Sequence, residues 1–288
     1  MSVRPLLDVK MTLAEGPVYD EQHKRLYWVD IPEGRLWQYD FATDKATSEV
    51  LGSSLGMAVP HKRGGMVAAL KDEIVWVKEG ARTVLVADAE PDHPNNRFND
   101  GKCDAKGRLL AGTMDNNGKE GQGSLYILEE GLPLRQVIAG VSISNGIGFS
   151  PDNQYLYYVD TPSGFLWRYR YDLETGTISD KTALIDYRDE RGNFDGICMD
   201  AEGCIWAAHW DGYQVSRWDP KTGQKIGMIE VPAPYVTSCC FGGPNMDQLF
   251  ITTAAGWDED IKREYPLSGS IFVAEPGVTG LPVARFGR

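Results

Sequence analysis

Four oxygen-bearing side chains each stand directly before a glycine: Glu15-Gly16, Asp100-Gly101, Asn145-Gly146 and Asp195-Gly196. Carboxylate and amide oxygens are hard donors. Glu15, Asn145 and Asp195 brought to one point would suit Ca2+, Mg2+ or Mn2+ and leave positions open for water or substrate. Taken singly, an Asp-Gly or Asn-Gly pair is a common turn signal. Taken together the pairs say more, because a short alternating apolar run follows them, as in Asn193-Phe194-Asp195-Gly196-Ile197-Cys198-Met199-Asp200.

A second loaded stretch is Asn95-Asn96-Arg97-Phe98-Asn99-Asp100-Gly101-Lys102. Arg97 can give paired hydrogen bonds to hydroxyl or carbonyl oxygens, and Asn99 can donate and accept. The stretch reads equally as a polar loop with a solvated Arg97. Asp100 reads as an extra acid beside a metal, or as an orienter of Lys102 or of a water that serves a bound substrate.

The elements that must carry these residues repeat. Leu26-Tyr27-Trp28-Val29-Asp30, a Pro-x-Gly turn and Leu36-Trp37-Gln38-Tyr39 return 130 positions later as Leu156-Tyr157-Tyr158-Val159-Asp160 and Leu166-Trp167-Arg168-Tyr169. Glu15 and Asn145 share that offset, so they occupy the same place in two units, three units apart. Further units start near Leu55, Asp100, Asp195 and Ser238. A period in the forties with short strands at each start is the mark of a β-repeat. Six units of about four strands predict an all-β fold, a six-bladed β-propeller forming one domain over 1–288, with Glu15 facing Asn145 across a central channel. The leading segment near Leu7-Asp8-Val9-Lys10 is expected to pair with the last unit and close the ring.

The net charge of −12 argues against nucleic acid and anionic membranes as partners and suits a bound cation. No apolar run approaches a membrane span, and the N-terminal residues lack the apolar core of a signal peptide. Five cysteines, an odd count with no C-x-x-C, predict a reduced cytoplasmic protein with buried thiols. His23, His61, His93 and His209 share no metal-ligand spacing and are expected at the surface or in turns. Trp37, Trp167, Trp206 and Trp218 are expected to pack blades. Asp115-Asn116-Asn117-Gly118 lacks the pattern of an EF-hand, and no G-x-S-x-G elbow is present.

Glu15-Gly16-Pro17-Val18, Arg97-Phe98-Asn99-Asp100-Gly101-Lys102, Ala111-Gly112-Thr113-Met114, Ser144-Asn145-Gly146, Asp195-Gly196 and Thr237-Ser238-Cys239-Cys240-Phe241-Gly242-Gly243 occur in this order. In these blocks the chain resembles the gluconolactonase–regucalcin family, also called the senescence-marker-protein family. The resemblance implies a six-bladed propeller with one divalent metal, Ca2+ first, with Zn2+, Mn2+, Mg2+ or Fe2+ accepted by the same donors. It implies Glu15, Asn145 and Asp195 as metal ligands, Arg97 and Asn99 as contacts to a sugar lactone, and lactone hydrolysis with Asp195 as base or as ligand only. Some animal members use a further glutamate after the Gly-Thr-Met motif; here the loop reads Asp115-Asn116-Asn117-Gly118-Lys119-Glu120 with no equivalent at that distance. A phosphotriester hydrolase on the same site and a non-catalytic calcium-binding protein are the competing readings.

Overall fold

The computed structural model describes residues 3–288, and its strands fall into six four-stranded antiparallel sheets. Blade 1 runs from Ala14 to Val50, blade 2 from Leu55 to Val86 and blade 3 from Asn96 to Val141. Blade 4 spans Ser144 to Asp186 and blade 5 Asn193 to Glu230. Blade 6 joins Tyr235–Gly242, Gln248–Ala254 and Ile271–Ala274 to the N-terminal strand Val3–Leu7. The inner strands of neighbouring blades lie side by side all the way round, and the ring is a six-bladed β-propeller.

Burial falls from the axis outward. The inner strand Leu55–Pro60 is buried at every position because blades cover both its faces, whereas the outermost strand Lys45–Val50 is mostly exposed. Charged residues such as Lys45 and Glu49 blunt that free edge. Between blades lie apolar clusters, such as Tyr187, Phe194 and Trp218 between blades 4 and 5 and Trp206, Phe241 and Phe272 between blades 5 and 6. Each such fully buried side chain contributes roughly 1.5–3 kcal/mol. The ring is therefore held by blade-to-blade packing.

Ring closure occurs slightly earlier in the chain than expected. Leu7 is the last residue paired with Ile271–Ala274 of blade 6, not the first. Met11 instead bonds through its N–H to the Gly269 carbonyl and accepts from the Ala255 N–H, which draws 8–11 away from the sheet. Two histidines also depart from expectation. His209 sits in the buried strand Ile205–Trp210, and His61 is stacked on Trp76 at 4.4 Å with almost no exposure. Hydrogen bonds replace water in both places: His209 Nδ1 meets the Arg191 carbonyl at 2.8 Å, and His61 Nδ1 accepts from the Arg63 N–H at 2.9 Å. All five cysteines are buried free thiols. No helix among the described residues is long and apolar enough to cross a membrane.

Candidate metal and substrate site

Each inner strand carries one extra residue at nearly the same height. The register shifts at Glu15/Val18, Leu55/Met57, Phe98/Gly101, Asn145/Ile147, Phe194/Ile197 and Val236/Ser238. Bulges of this kind re-aim side chains and cluster beside active sites. The glycines that follow the oxygen-bearing residues thus belong to bulged strands rather than to turns. They also allow neighbouring blades to touch: a Cβ on Gly146 would stand 2.7 Å from the Asp195 carbonyl, and one on Gly196 would stand 2.1 Å from Ser238 Oγ.

The inner strands close in turns led by Asp20, Asp104, Ser150 and Asp200. Five residues before these stand Glu15, Asn99, Asn145 and Asp195. Blade 3 therefore presents Asn99, not Asp100, at the matched position, and Asp100 lies one residue further inside the bulge. Glycine spacing suggested Asp100 because the extra residue of a bulge shows only against its partner strand.

The structure brings the six singled-out residues together. A directed chain of hydrogen bonds runs through three blades. Arg97, which can only donate, gives an Nη1 proton to Asn99 Oδ1 at 2.6 Å. Asn99 Nδ2 then donates to Asn145 Oδ1 at 2.8 Å, and Asn145 Nδ2 to Thr161 Oγ1 at 2.8 Å. Thr161 passes its hydroxyl proton to the Phe194 carbonyl at 2.9 Å, directly before Asp195. Because the Thr161 proton is committed, Asn145 must present its oxygen on the opposite side. Glu15 and Asp195 meet side chain to side chain, and Glu15 Oε2 accepts from the Gly16 N–H at 2.7 Å.

Electrostatics follow from burial. Glu15 is pushed up to about 8 by desolvation first and by the Asp100 charge second. Asp195 is raised well above the usual carboxylate range by desolvation, then by Glu15 and Asp100. Burial likewise raises Asp100, and it lowers Arg97 to about 10 against the opposing pull of Glu15 and Asp195. Three desolvated carboxyls crowd one another, with the Arg97 guanidinium beside only two of them, Glu15 and Asp195, an arrangement that a dication would relieve. The donor set, two carboxylates with an amide whose oxygen is fixed in direction, fits such an ion. Among the described residues no three His, Cys, Asp or Glu side chains form a ready-made metal cage.

Several supporting residues were not singled out in the sequence. Asp30 accepts from the Leu13 and Thr12 N–H groups, and Asp160 accepts from Ile143 and Ser142, so each carboxylate holds the chain as it enters the strand that bears Glu15 or Asn145. The recurrence of Val-Asp at the end of both strands was the available signal. Glu90 accepts from Thr113, Tyr126 and Asn96, securing the start of the Arg97 strand. Lys102, already named in the sequence as a partner of Asp100, crosses the channel to the Ile197 carbonyl at 2.7 Å and forms a floor close enough to Asp100 to oppose its rise.

A six-bladed propeller that gathers carboxylates, amides and a half-buried arginine at one end of its axis defines a class of channel-site proteins. Residues 13–255 match the family described as SMP-30/Gluconolactonase/LRE-like region, and the chain belongs to it. It is 37% identical to regucalcin of Xenopus laevis over 284 residues, 95% of this chain and 94% of that one. Among solved structures, a calcium-binding protein, regucalcin, from Agrobacterium tumefaciens superposes with a TM-score of 0.93 at 30% identity, covering 100% of this chain and 97% of that one. A gluconolactonase from Xanthomonas campestris shares the fold, with a TM-score of 0.75 at 22% identity over 97% of this chain and 89% of that one.

Proposed function

We propose that this protein hydrolyses a sugar lactone to the sugar acid with one divalent ion held by Glu15, Asn145 and Asp195. The observation that carries this reading is the convergence of those donors with the Arg97–Asn99–Asn145 chain on one spot. When bound, the ion supplies Lewis acidity toward the lactone carbonyl. The chain's own residues do the rest. Arg97 spends its Nη1 amino group on Asn99 and the Phe98 carbonyl, which leaves Nη2 and Nε as donors for substrate oxygens and for charge developing on the carbonyl. Asn99, locked by Arg97 and Asn145, positions a ring hydroxyl. Asp195 takes the proton of the attacking water at its carboxylate oxygen and returns it to the ring oxygen as the acyl C–O bond breaks, and Asp100 with Lys102 closes the site from below. The named relatives support lactone chemistry and, for regucalcin, calcium. Five free thiols agree with a reducing compartment such as the cytoplasm.

The test is hydrolysis of a panel of aldonolactones followed by pH indicator, on protein stripped by chelator and reloaded with Ca2+, Mg2+, Mn2+, Zn2+ or Fe2+. Metal-only blanks correct for spontaneous opening. Turnover restored by metal and strongest on one lactone is expected. Folded, metal-loaded protein with no turnover on any lactone would instead make this a binding protein.

A further inference from the structure

We propose that an aromatic shelf over blades 5 and 6 is a second-ring subsite, which takes the non-reacting pyranose of a glycosylated aldonolactone. The substrate class rests on the lactone reading above; the shelf itself rests on separate residues. Trp210 ends the second strand of blade 5 in register with Asn193, two positions before Asp195. Tyr235 opens the inner strand of blade 6, and its ring stacks on Trp210 at 4.5 Å and 23°. Both rings are half-buried, at the same end of the strands as Glu15 and Asn145. At a rise of about 3.3 Å per residue the shelf begins about 7 Å from Asp195 along the strand, the reach of one hexose unit.

The shelf continues outward. After Trp210, Asp211 and Tyr213 adopt left-handed backbone angles, with φ of 59° and 60°. For a bulky aromatic such as Tyr213 that is a costly conformation, of the kind retained at ligand clamps. It brings Tyr213 edge-on to Tyr265 at 5.2 Å, with the guanidinium of Arg191 3.9 Å from the Tyr213 ring. Trp257 is 66% exposed and follows Gly256, which lies against Tyr235. The excursion that bears Trp257 and Tyr265 is firmly built. Gly256 N–H donates to Thr12, Met11 N–H to Gly269, and Asp258 caps the helix Glu259–Glu264.

Its chemistry is that of a sugar binder. Aromatic faces are electron-rich and attract the polarised C–H groups of a pyranose face. Asp211 and Asp258 flank Tyr235, and the Arg191 guanidinium lies over one face of Tyr213, so acceptors and donors for ring hydroxyls border the shelf. A wholly apolar ligand would leave those polar groups uncompensated.

Titration calorimetry on the whole metal-loaded protein compares cellobionate, which carries a second ring, with gluconate. We expect cellobionate to bind at least ten-fold more tightly. Trp257→Ser, at an exposed position, should cut that ratio several-fold. Tyr213→Asn, which suits the left-handed backbone, combined with Trp257→Ser should bring it close to one. Equal binding of the two acids by the unmodified protein, an unchanged ratio in the double variant, or tighter binding of 4-O-benzylgluconate, whose second ring carries no hydroxyls, than of cellobionate would overturn the proposal. None of these readings needs turnover. A protein that hydrolyses no lactone but keeps the ratio loses the lactonase reading and retains the shelf; hydrolysis of simple lactones without the ratio does the reverse.

Discussion

Blades 1 and 4 are built from matching stretches of sequence and end in different chemistry. Both clamp the incoming chain with an aspartate, Asp30 or Asp160, and both bulge at the residue that faces the channel. Blade 1 offers the carboxylate of Glu15, and blade 4 the amide of Asn145. Three accompanying positions change with it. Ala14, Trp28 and Ile31 of blade 1 become Ser144, Tyr158 and Thr161 of blade 4. Tyr158 donates to Ser144 Oγ at 2.7 Å, and Thr161 anchors the Asn145 amide, whereas Trp28 finds Met11 Sδ and Ile31 is simply buried. A carboxylate presents oxygen whichever way it turns; an amide does so only when its nitrogen is held. The scaffold sets where the donor stands, and a second residue sets what an amide shows.

The largest effect should come from removing the charge itself. Glu15→Gln and Asp195→Asn should each lower kcat/KM on the preferred lactone on the order of a thousand-fold and abolish tight metal binding in calorimetry. Their folds should survive, since neutral isosteres relieve the crowding of buried carboxyls.

Blade 5 sharpens the comparison because its clamp position holds His209, paired with Phe194 as Asp30 is with Ala14. Burial lowers His209 from its ordinary value to about 4, so the folded protein keeps it neutral. A histidine depressed on folding contributes stability that is present above its unfolded value of 6.5 and lost as pH falls toward 4. Relative to His209→Gln, the unmodified protein should lose about 3 kcal/mol across that window in urea unfolding. A parallel pair of curves would refute the buried neutral imidazole.

Next comes the amide anchor. Thr161→Val keeps shape but frees the Asn145 nitrogen, and metal affinity should fall about 10- to 100-fold while the melting temperature changes little. The matched change Ile31→Val in blade 1 should leave metal affinity unaltered. Smallest of all, Asp30→Asn and Asp160→Asn should each cost about 1 kcal/mol in urea unfolding, by nearly equal amounts, because an amide oxygen still accepts from the entering N–H groups.

Much of this was legible in the residues. The offset shared by Leu26 with Leu156 and Glu15 with Asn145 exposed the blades, their order and the facing pair, since strand patterning and turn chemistry are local. What escaped depends on partners. The bulge that puts Asn99 at the matched position of blade 3 is visible only against Thr113 and Ala111 across the strand pair. Thr161 differs from Ile31 by a hydroxyl whose value lies in reaching Asn145 and Phe194 from another part of the chain. His61 and His209 carry no sign of burial in their own neighbourhoods, because a stacked Trp76 and a distant Arg191 carbonyl make it tolerable. Trp210 and Tyr235 resemble packing aromatics until their blades are placed next to each other.

The central claim is that facing blades converge on one divalent site. Its most direct measurement is an anomalous difference map from crystals of the protein loaded with Mn2+. A single strong peak about 2.0–2.5 Å from oxygens of Glu15, Asn145 and Asp195 is the result predicted. A peak elsewhere in the channel, or none at these three residues in protein shown by calorimetry to bind the ion, would contradict it.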